Sequence, residues 1–247
     1  MFNVKNLFYA INDKKILSNI NFNVEKGTWT SIIGPNGAGK TTLLNCLIGD
    51  KVYEGEITYI DKNIKEISEK QFFNNVAVLF QDNDISKNIT VKSLIKMSFY
   101  SFDNLLDINQ KNKMYDDVLI LLALSNFQHQ KLSDLSGGEL QRVKLACCLV
   151  KQPDVLILDE IFNHLDPKVQ DEIEQILISL NKNGLTIISI SHNLNIVLRN
   201  SHQILALKNG EQFFYGSKNE IVNNGLIDQL FDKEFIKSTI NDNTYLI

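Results

Sequence analysis

The segment Gly34–Thr41 has the spacing of a phosphate-binding loop. It reads Gly-Pro-Asn-Gly-Ala-Gly-Lys-Thr and fits the pattern G-x-x-x-x-G-K-[ST], with an apolar strand pattern before it and a helical pattern after it. Its glycines let successive backbone N–H groups point at one centre, and the following helix adds the positive end of its dipole. Lys40, which we expect to be exposed, supplies a point charge for the β- and γ-phosphates, and the Thr41 hydroxyl suits Mg²⁺. The alternative is an ordinary glycine-rich turn, which would not need a strand directly before it and a helix directly after it.

Two acidic residues follow a strand that contains no polar residue. Val155–Leu158 is apolar throughout, and Asp159 and Glu160 come directly after it. Such a strand is buried on both faces, so we expect the acids where it meets solvent, beside the phosphate loop. Mg²⁺ takes few protein carboxylates and keeps its waters, which suits Asp159, and Glu160 is then placed to polarise an attacking water. Without the phosphate loop, two solvated acids opening a surface loop would be the simpler interpretation.

The segment Leu135–Glu139, which reads Leu-Ser-Gly-Gly-Glu, begins another helical pattern. Ser136 and Glu139 form the capping box S-x-x-E. The box does not explain Gly137 and Gly138, because a glycine costs a helix about 1 kcal/mol relative to alanine. Bare backbone at a helix N-terminus is useful where a phosphate must approach closely. The chain therefore predicts two anion-binding helix starts, and a head-to-tail pair of chains would use each start once per site.

Strands and helices alternate around these motifs. Strand patterns cover Ile20–Val24, Trp29–Ile33, Ile57–Ile60, Val76–Phe80, Val155–Leu158 and Leu185–Ile190, and helical patterns cover Leu43–Ile48, Leu140–Val150, Lys168–Leu180 and Asn193–Leu198. This β-α-β alternation predicts an α/β fold with a mostly parallel sheet. Ligands bind such sheets at the carboxyl ends of the strands, which is where the motifs fall.

The stretch Thr90–Leu124 differs from the rest, because few turn signals interrupt its helical periodicity. It predicts an all-helical insertion. We expect a single domain over residues 1–247, in which 1–87 and 135–225 form the core with its β-subdomain, 88–134 form a helical subdomain and 226–247 form a C-terminal tail. Phe99, Tyr100 and Phe102 of the insertion are candidates for exposed apolar residues that dock on a partner, and each would serve equally well as core.

Composition excludes several classes of protein. The 247 residues carry a net charge of −4, so the basic excess typical of duplex-binding proteins is missing, and we expect no nucleic-acid partner. The longest unbroken apolar run, Val118–Leu124, is far shorter than the roughly 20 residues of a membrane-spanning helix, and the N-terminus lacks the apolar region of a signal peptide. Three cysteines without a Cys-x-x-Cys pair argue against a disulfide framework or a zinc site.

The order of the motifs resembles that of the nucleotide-binding subunit of ABC transporters. Each motif of that family has a counterpart in this chain: Walker A at Gly34–Thr41, the Q-loop glutamine at Gln81, the signature at Leu135–Glu139 followed by Gln141 and Arg142, Walker B at Ile157–Glu160, the D-loop at Asn163–Asp166 and the switch histidine at His192. The resemblance covers nearly the whole chain, and the ordered set of motifs is specific. Asp166 before Pro167 is also a good N-cap for the helix that follows.

The resemblance implies an ATPase that uses ATP and Mg²⁺. Its fold would have a phosphate-loop core, a mostly parallel sheet, an N-terminal antiparallel β-subdomain and an inserted helical subdomain. It places these residues on the nucleotide: Gly34, Pro35, Asn36, Gly37, Ala38, Gly39, Lys40, Thr41 and Thr42 of one copy, with Ser136, Gly137 and Gly138 of a second copy in an ATP-sandwich homodimer. It places Thr41, Gln81 and Asp159 on the metal, and it gives Glu160, His192, Lys40 and Gln81 catalytic roles.

The chain departs from the family pattern at the adenine. An aromatic residue usually stacks on the base, at the position held here by Ile11. Tyr9, two residues earlier on the same face of a strand, is a candidate substitute. The proline that usually follows the catalytic glutamate is replaced by Ile161, and Asn193 follows His192 where aspartate is common. None of these changes removes a catalytic group.

Within the family, the insertion between Gln81 and Leu135 is of importer type. The stretch Ser68–Gln81 and the segment Gly210–Ile247 resemble ATPases that import iron–siderophore, haem or cobalamin chelates, with zinc and manganese importers as close neighbours. The resemblance implies separate transmembrane permease subunits, a solute-binding protein that acts indirectly, and a place on the cytoplasmic side of the membrane. The alternative is a soluble ABC ATPase of iron–sulfur cluster assembly, although its residues after the signature usually differ from Leu140-Gln141-Arg142.

Overall fold

The computed structural model describes residues 1–81, 86–99, 107–240 and 243–246. The chain divides into two compact units, one formed by Met1–Ser68 with Thr186–Ile247 and the other by Glu69–Leu185. The predicted core, helical subdomain and tail have other boundaries, and they stay a prediction.

The helices and strands of the described residues follow one another closely. The strands are β1 (Phe2–Ile11), β2 (Lys14–Val24), β3 (Trp29–Ile33), β4 (Glu54–Tyr59), β5 (Lys62–Asn63), β6 (Val76–Leu79), β7 (Val155–Asp159), β8 (Thr186–Ile190), β9 (Gln203–Lys208), β10 (Glu211–Ser217), β11 (Lys237–Ile240) and β12 (Asn243–Leu246). The helices are α1 (Lys40–Leu47), α2 (Glu69–Asn75), α3 (Val91–Met97), α4 (Ile108–Leu121), α5 (Gly137–Leu149), α6 (Pro167–Lys182), α7 (Leu194–Asn200), α8 (Lys218–Asn223) and α9 (Leu226–Phe231).

The first unit is built on a sheet with the strand order β5-β4-β1-β2-β10-β9-β3-β8. At one side β1 pairs antiparallel with β2 and β4, and β4 pairs antiparallel with β5. At the other side β3 pairs parallel with both β8 and β9. The predicted α/β class, with parallel strands and an N-terminal antiparallel part, is confirmed.

Side-chain periodicity explains which strands lie inside. Ile20, Phe22 and Val24 of β2 are buried while Asn21 and Asn23 between them are not, as the alternation predicts. Every residue of β3 and of β8 is buried, which is typical of parallel strands covered on both faces. These two strands lead into the Walker A segment and to His192.

Buried hydroxyls fix the register of the central strands of the first unit. The indole N–H of Trp29 donates to Ser189 Oγ over 2.9 Å, and the hydroxyls of Ser31 and Ser189 share a hydrogen bond of 2.9 Å. Ser201 donates to Ser31 Oγ over 2.6 Å. Each of these side-chain groups therefore has a partner, and a one-residue slip between β3 and β8 would break the chain of bonds.

The second unit places helices around a parallel pair of strands. In β6 and β7, Val76 lies opposite Val155 and Leu79 opposite Leu158. Asp107 begins α4 with a capping box, and Asp166 begins α6 as the predicted N-cap, accepting a hydrogen bond from Lys168 N–H at 2.9 Å. These caps fix where the helices start, and so where the loops before them run.

The predicted helical insertion contains α3 and α4. Phe99 is only 6% exposed, so of the two alternatives that the sequence left open for it, the structure shows the core residue and not the exposed docking residue. Removing an aromatic side chain from water is favourable, which is why a phenylalanine here is more stable inside than exposed. Tyr100 and Phe102 lie outside the described residues. Among the helices that the structure describes, none has both the length and the apolar character needed to cross a membrane.

Candidate active site

The Walker A segment turns sharply between the end of β3 and the start of α1. Gly34 and Gly39 have φ of +150° and +98°, a region that favours glycine. A Cβ on Gly34 would lie 2.1 Å from the carbonyl oxygen of Leu207, and one on Gly39 would lie 2.7 Å from Cδ2 of Leu17. Both positions therefore require glycine, for backbone conformation and for space.

The first turn of α1 lacks the usual means of satisfying its N–H groups. Gly39 is the N-cap, no described side chain caps the helix, and the first turn contains no acid. Thr41 is exposed and Thr42 half-buried at this end. Helix starts normally attract acidic side chains, so this one is suited to an external anion.

Lys40 lies over the loop instead of projecting into solvent. Its side chain is only 6% exposed, and Nζ donates to the carbonyl oxygens of Gly34 at 2.8 Å and Pro35 at 3.1 Å. The prediction of an exposed lysine was wrong, because the flexible stem can fold back and let the ammonium satisfy carbonyls of the loop. The cation is thus held at the loop that is predicted to bind phosphate.

The two acids after β7 lie in different environments. Asp159, the last residue of β7, is 5% exposed, whereas Glu160 is half-buried. Glu160 has φ of +52°, which is uncommon for a residue other than glycine. Asn163 donates from Nδ2 to Glu160 Oε2 over 2.7 Å and from its backbone N–H to the Glu160 carbonyl over 3.2 Å. The turn therefore aims and holds the Glu160 carboxylate.

The predicted capping box at the start of α5 is confirmed. Ser136 Oγ accepts from Glu139 N–H at 3.3 Å, and Glu139 Oε2 accepts from both the N–H and the hydroxyl of Ser136 at 2.7 Å. These bonds hold the pKa of the Glu139 carboxyl below its usual value. Ser136 itself stays exposed.

The two glycines after Ser136 differ in the space around them. A Cβ on Gly138 would lie 2.8 Å from Cγ1 of Val169 at the start of α6, so packing accounts for this glycine. A Cβ on Gly137 would meet no described atom within 4 Å. Packing therefore does not account for Gly137, and its predicted role at a phosphate stays a prediction.

The start of α5 is tied to the loop that follows Glu160. The side-chain amide of Gln141 donates to the Ile161 carbonyl over 3.1 Å, and Arg142 forms an ion pair with Glu172 of α6. From the sequence alone, Gln141 had no role beyond its place after the signature. Only the three-dimensional contact shows what it binds.

The remaining predicted residues lie at strand ends. Gln81 is exposed, two residues after Leu79 ends β6, and belongs to the second unit. His192 is exposed between β8 and α7 in the first unit, and the hydroxyl of Ser191 accepts from Asn193 N–H at 3.1 Å. Each therefore follows the carboxyl end of a strand that is parallel to its neighbour.

The adenine candidates both lie on β1. Tyr9 is half-buried and pairs with Leu17 of β2, the residue whose side chain would lie 2.7 Å from a Cβ on Gly39 of the Walker A segment. Ile11 is 50% exposed and pairs with Lys14 at the end of the strand. Tyr9 is thus separated from the phosphate-binding segment by a single strand.

Comparison with known proteins decides the family. A family model described as ABC transporter matches residues 17–163, which run from β2 through the Walker A, signature and Walker B motifs. The chain belongs to the ABC transporter family.

Relatives of this ABC subunit match over nearly their whole length. The phosphonates import ATP-binding protein PhnC of Fusobacterium nucleatum subsp. nucleatum is 39% identical over 229 residues, 88% of this chain and 93% of the relative. The petrobactin import ATP-binding protein YclP of Bacillus subtilis (strain 168) is 31% identical over 245 residues, 98% and 97% of the two chains. The solved structure of cbiO1 from Clostridium perfringens, part of the ABC transporter complex cbiONQ, has a TM-score of 0.80 at 29% identity and covers 92% of each chain.

These comparisons confirm the predicted ABC ATPase fold and the activity. The chain is an ATP-binding ABC subunit, and subunits of this kind hydrolyse ATP. The roles of its individual residues rest on the geometry above.

Proposed function

We propose that this ABC subunit hydrolyses ATP between two copies of itself and thereby drives import through separate permease subunits. The observation that carries the proposal is that one chain contains two helix starts with room for an anion. No described side chain caps α1, and α5 begins with Gly137 beside open space. Anions bind at such helix starts. Each copy thus offers one start to its own nucleotide and the other to the nucleotide of the second copy.

In this proposal the segment Gly34–Thr42 holds the triphosphate. Its backbone N–H groups and the first turn of α1 surround the β- and γ-phosphates, and Lys40 exchanges loop carbonyls for phosphate oxygens. Ser136, Gly137 and Gly138 of the second copy approach the γ-phosphate from the opposite side. Their helix start supplies the electrostatic stabilisation that an arginine finger gives elsewhere.

The metal donors fit Mg²⁺ in their chemistry. The Thr41 hydroxyl, the Asp159 carboxylate and the Gln81 side-chain carbonyl are all hard oxygen donors, which Mg²⁺ prefers. Bound Mg²⁺ would neutralise charge on the β- and γ-phosphates. Asp159 is well suited to this role because it is buried at the end of a rigid strand.

Glu160 is the general base of the proposed reaction. Its carboxylate is half-buried and held by Asn163 at 2.7 Å, so it is oriented before any water arrives. It accepts the proton of the attacking water. Gln81 and His192 follow strand ends and contact the γ-phosphate or its attacking water. Tyr9 provides the adenine platform in preference to Ile11, because it lies one strand away from Gly39.

We infer that the cargo is a metal chelate such as an iron–siderophore, haem or cobalamin, or a metal ion. The relative YclP, named for petrobactin import, supports a metal-chelate cargo. The relative PhnC, named for phosphonates import, supports a phosphonate cargo instead. The permease would hold the subunit at the cytoplasmic face of the membrane, and a solute-binding protein would act through the permease. Adding candidate cargoes to the reconstituted complex and measuring ATPase stimulation would distinguish these classes.

Size exclusion of two amide variants tests the ATP sandwich. Glu160→Gln keeps size but cannot accept the proton, so ATP and Mg²⁺ bind and the dimer persists, because losing a general base slows reaction by about 10² to 10⁴. Asp159→Asn weakens the metal site, so the dimer weakens or fails. A stable ATP-dependent dimer for Glu160→Gln alone is the expected result. Wild-type ATPase activity in Glu160→Gln would show that another group, with His192 the first candidate, acts as base.

A further inference from the structure

The hairpin formed by β11 and β12 packs against the helix that follows His192. Ser238 of β11 pairs with Tyr245 of β12, and β12 lies along α7. At the other side of the hairpin, Lys237 forms an ion pair with Asp228 of α9 at 3.5 Å. The hairpin therefore connects α9 to α7 within the first unit.

Asn195 holds β12 with both polar groups of its side chain. Its Nδ2 donates to the Leu246 carbonyl at 3.1 Å, and its Oδ1 accepts from the Leu246 N–H at 2.8 Å. The amide thus pairs with the backbone of Leu246 as a neighbouring strand would. No other neutral side chain of this size offers one donor and one acceptor in this arrangement.

The two hydrogen bonds between Asn195 and Leu246, called the clamp below, hold the first turn of α7. Asn193, the residue after His192, caps this turn by accepting from Asn195 N–H at 3.1 Å and Ile196 N–H at 3.3 Å. Asn195 is therefore held through its backbone by Asn193 and through its side chain by Leu246. His192 lies directly before this doubly fixed turn.

The Leu246 side chain also packs in the core near the end of the strand that precedes the Walker A segment. It is buried in a cluster that contains Ile33, Val197 and Leu198. Ile33 ends β3 directly before Gly34, and Val197 and Leu198 belong to α7. A single residue of β12 thus belongs to the same buried cluster as the end of the strand that leads to the phosphate-binding segment and as the helix that follows His192.

We propose that Asn195 is a positioning residue for ATP hydrolysis: its clamp on Leu246 fixes the first turn of α7 and thereby the orientation of His192. The inference rests on the role given to His192 in the proposed function. If Asn195 served the fold alone, its loss would lower stability without depending on His192. If it acts through His192, its loss affects kcat only while His192 is present.

A double-mutant cycle in the full-length chain separates these roles. Asn195→Ala removes both bonds, and misplacement of a group at the site lowers kcat by about tenfold to a hundredfold with the KM for ATP within about twofold. In a His192→Ala background the same change has less than about a twofold effect, because coupled residues are not additive. Asn223→Ala, at an exposed asparagine of α8, is the matched control and leaves kcat unchanged.

Asn195→Asp keeps the test valid if Asn195→Ala does not fold. The aspartate retains the acceptor for Leu246 N–H, places a carboxylate against the Leu246 carbonyl and stabilises the start of α7 through the helix dipole. It should lower kcat in the wild-type background only. Equal losses with and without His192, or an unchanged kcat, would overturn the positioning role while leaving the proposed function intact. An unchanged kcat in His192→Ala alone would instead overturn the role of His192, and this inference with it.

Discussion

The side-chain amide of Gln141 donates to the Ile161 carbonyl over 3.1 Å, which ties the start of α5 to the loop that carries Glu160. In the proposed sandwich, Ser136 faces the nucleotide of the second copy and Glu160 serves the nucleotide of its own copy. The bond thus connects two segments whose neighbouring residues serve different ATP sites. Arg142 strengthens the connection through its ion pair with Glu172.

Gln141→Leu should weaken the coupling between the two sites. The substitution keeps the side chain's size and removes its donor, so the free energy of unfolding falls by only about 0.5–1.5 kcal/mol. We expect kcat to fall severalfold and the Hill coefficient for ATP to move towards one, in steady-state assays over a range of ATP concentrations. Gln175→Leu, at an exposed glutamine of α6, is the control. An unchanged Hill coefficient would show that coupling does not pass through Gln141.

Lys40→Ala should abolish ATPase activity and also alter stability slightly. The variant loses a cation from the phosphate-binding segment and leaves the carbonyls of Gly34 and Pro35 without its two hydrogen bonds. We expect turnover at background level and a loss of roughly 1–3 kcal/mol in unfolding free energy, measured by denaturant titration. Near-wild-type turnover in the folded variant would refute the Walker A assignment.

The buried thiols should be almost inert in the folded protein. Burial raises the pKa of Cys46 and of Cys148 to about 12. At pH 8 only about one thiol in ten thousand at these positions would be thiolate, the form that reacts. A disulfide reagent should therefore react slowly with Cys147→Ser protein and rapidly after denaturation. Because Cys46 lies on α1 and Cys148 on α5, rapid reaction in the native state would show that one of these helices opens.

Local patterns predicted much of the site. The Walker A glycines, the capping box of Ser136 and the N-cap at Asp166 each depend on residues within a few positions of one another, so the sequence carries their whole physical cause. The alternation in β2 and the apolar run Val155–Leu158 of β7 likewise give burial directly.

Long-range partners were not predictable in this way. Asn195 and Leu246 meet because β12 folds back onto α7, and no spacing in the chain marks either residue. The Lys40 side chain bends back over its own loop because the Gly34 carbonyl accepts a hydrogen bond from its Nζ, and the sequence does not show which carbonyls the turn leaves within reach. The hairpin β11–β12 also escaped prediction, because its strands are short and lack a regular alternation.

The contrast between Gly137 and Gly138 gives a prediction in which stability and activity move in opposite directions. Gly137→Ala places a Cβ in open space, and alanine favours the helix, so the free energy of unfolding should rise by about 0.4–1 kcal/mol. The same Cβ lies where the backbone would meet phosphate, so ATPase activity should fall at least about tenfold.

Gly138→Ala should instead destabilise the fold. Its Cβ would lie 2.8 Å and 3.0 Å from the two methyl groups of Val169, which is stiff because it is β-branched. Such overpacking costs about 1–3 kcal/mol, and Gly138→Ala with Val169→Ala should recover part of it. Thermal unfolding and ATPase assays on the three variants separate packing from catalysis. If Gly137→Ala is both more stable and fully active, bare backbone at residue 137 is not needed for phosphate, and the ligand explanation for that glycine fails.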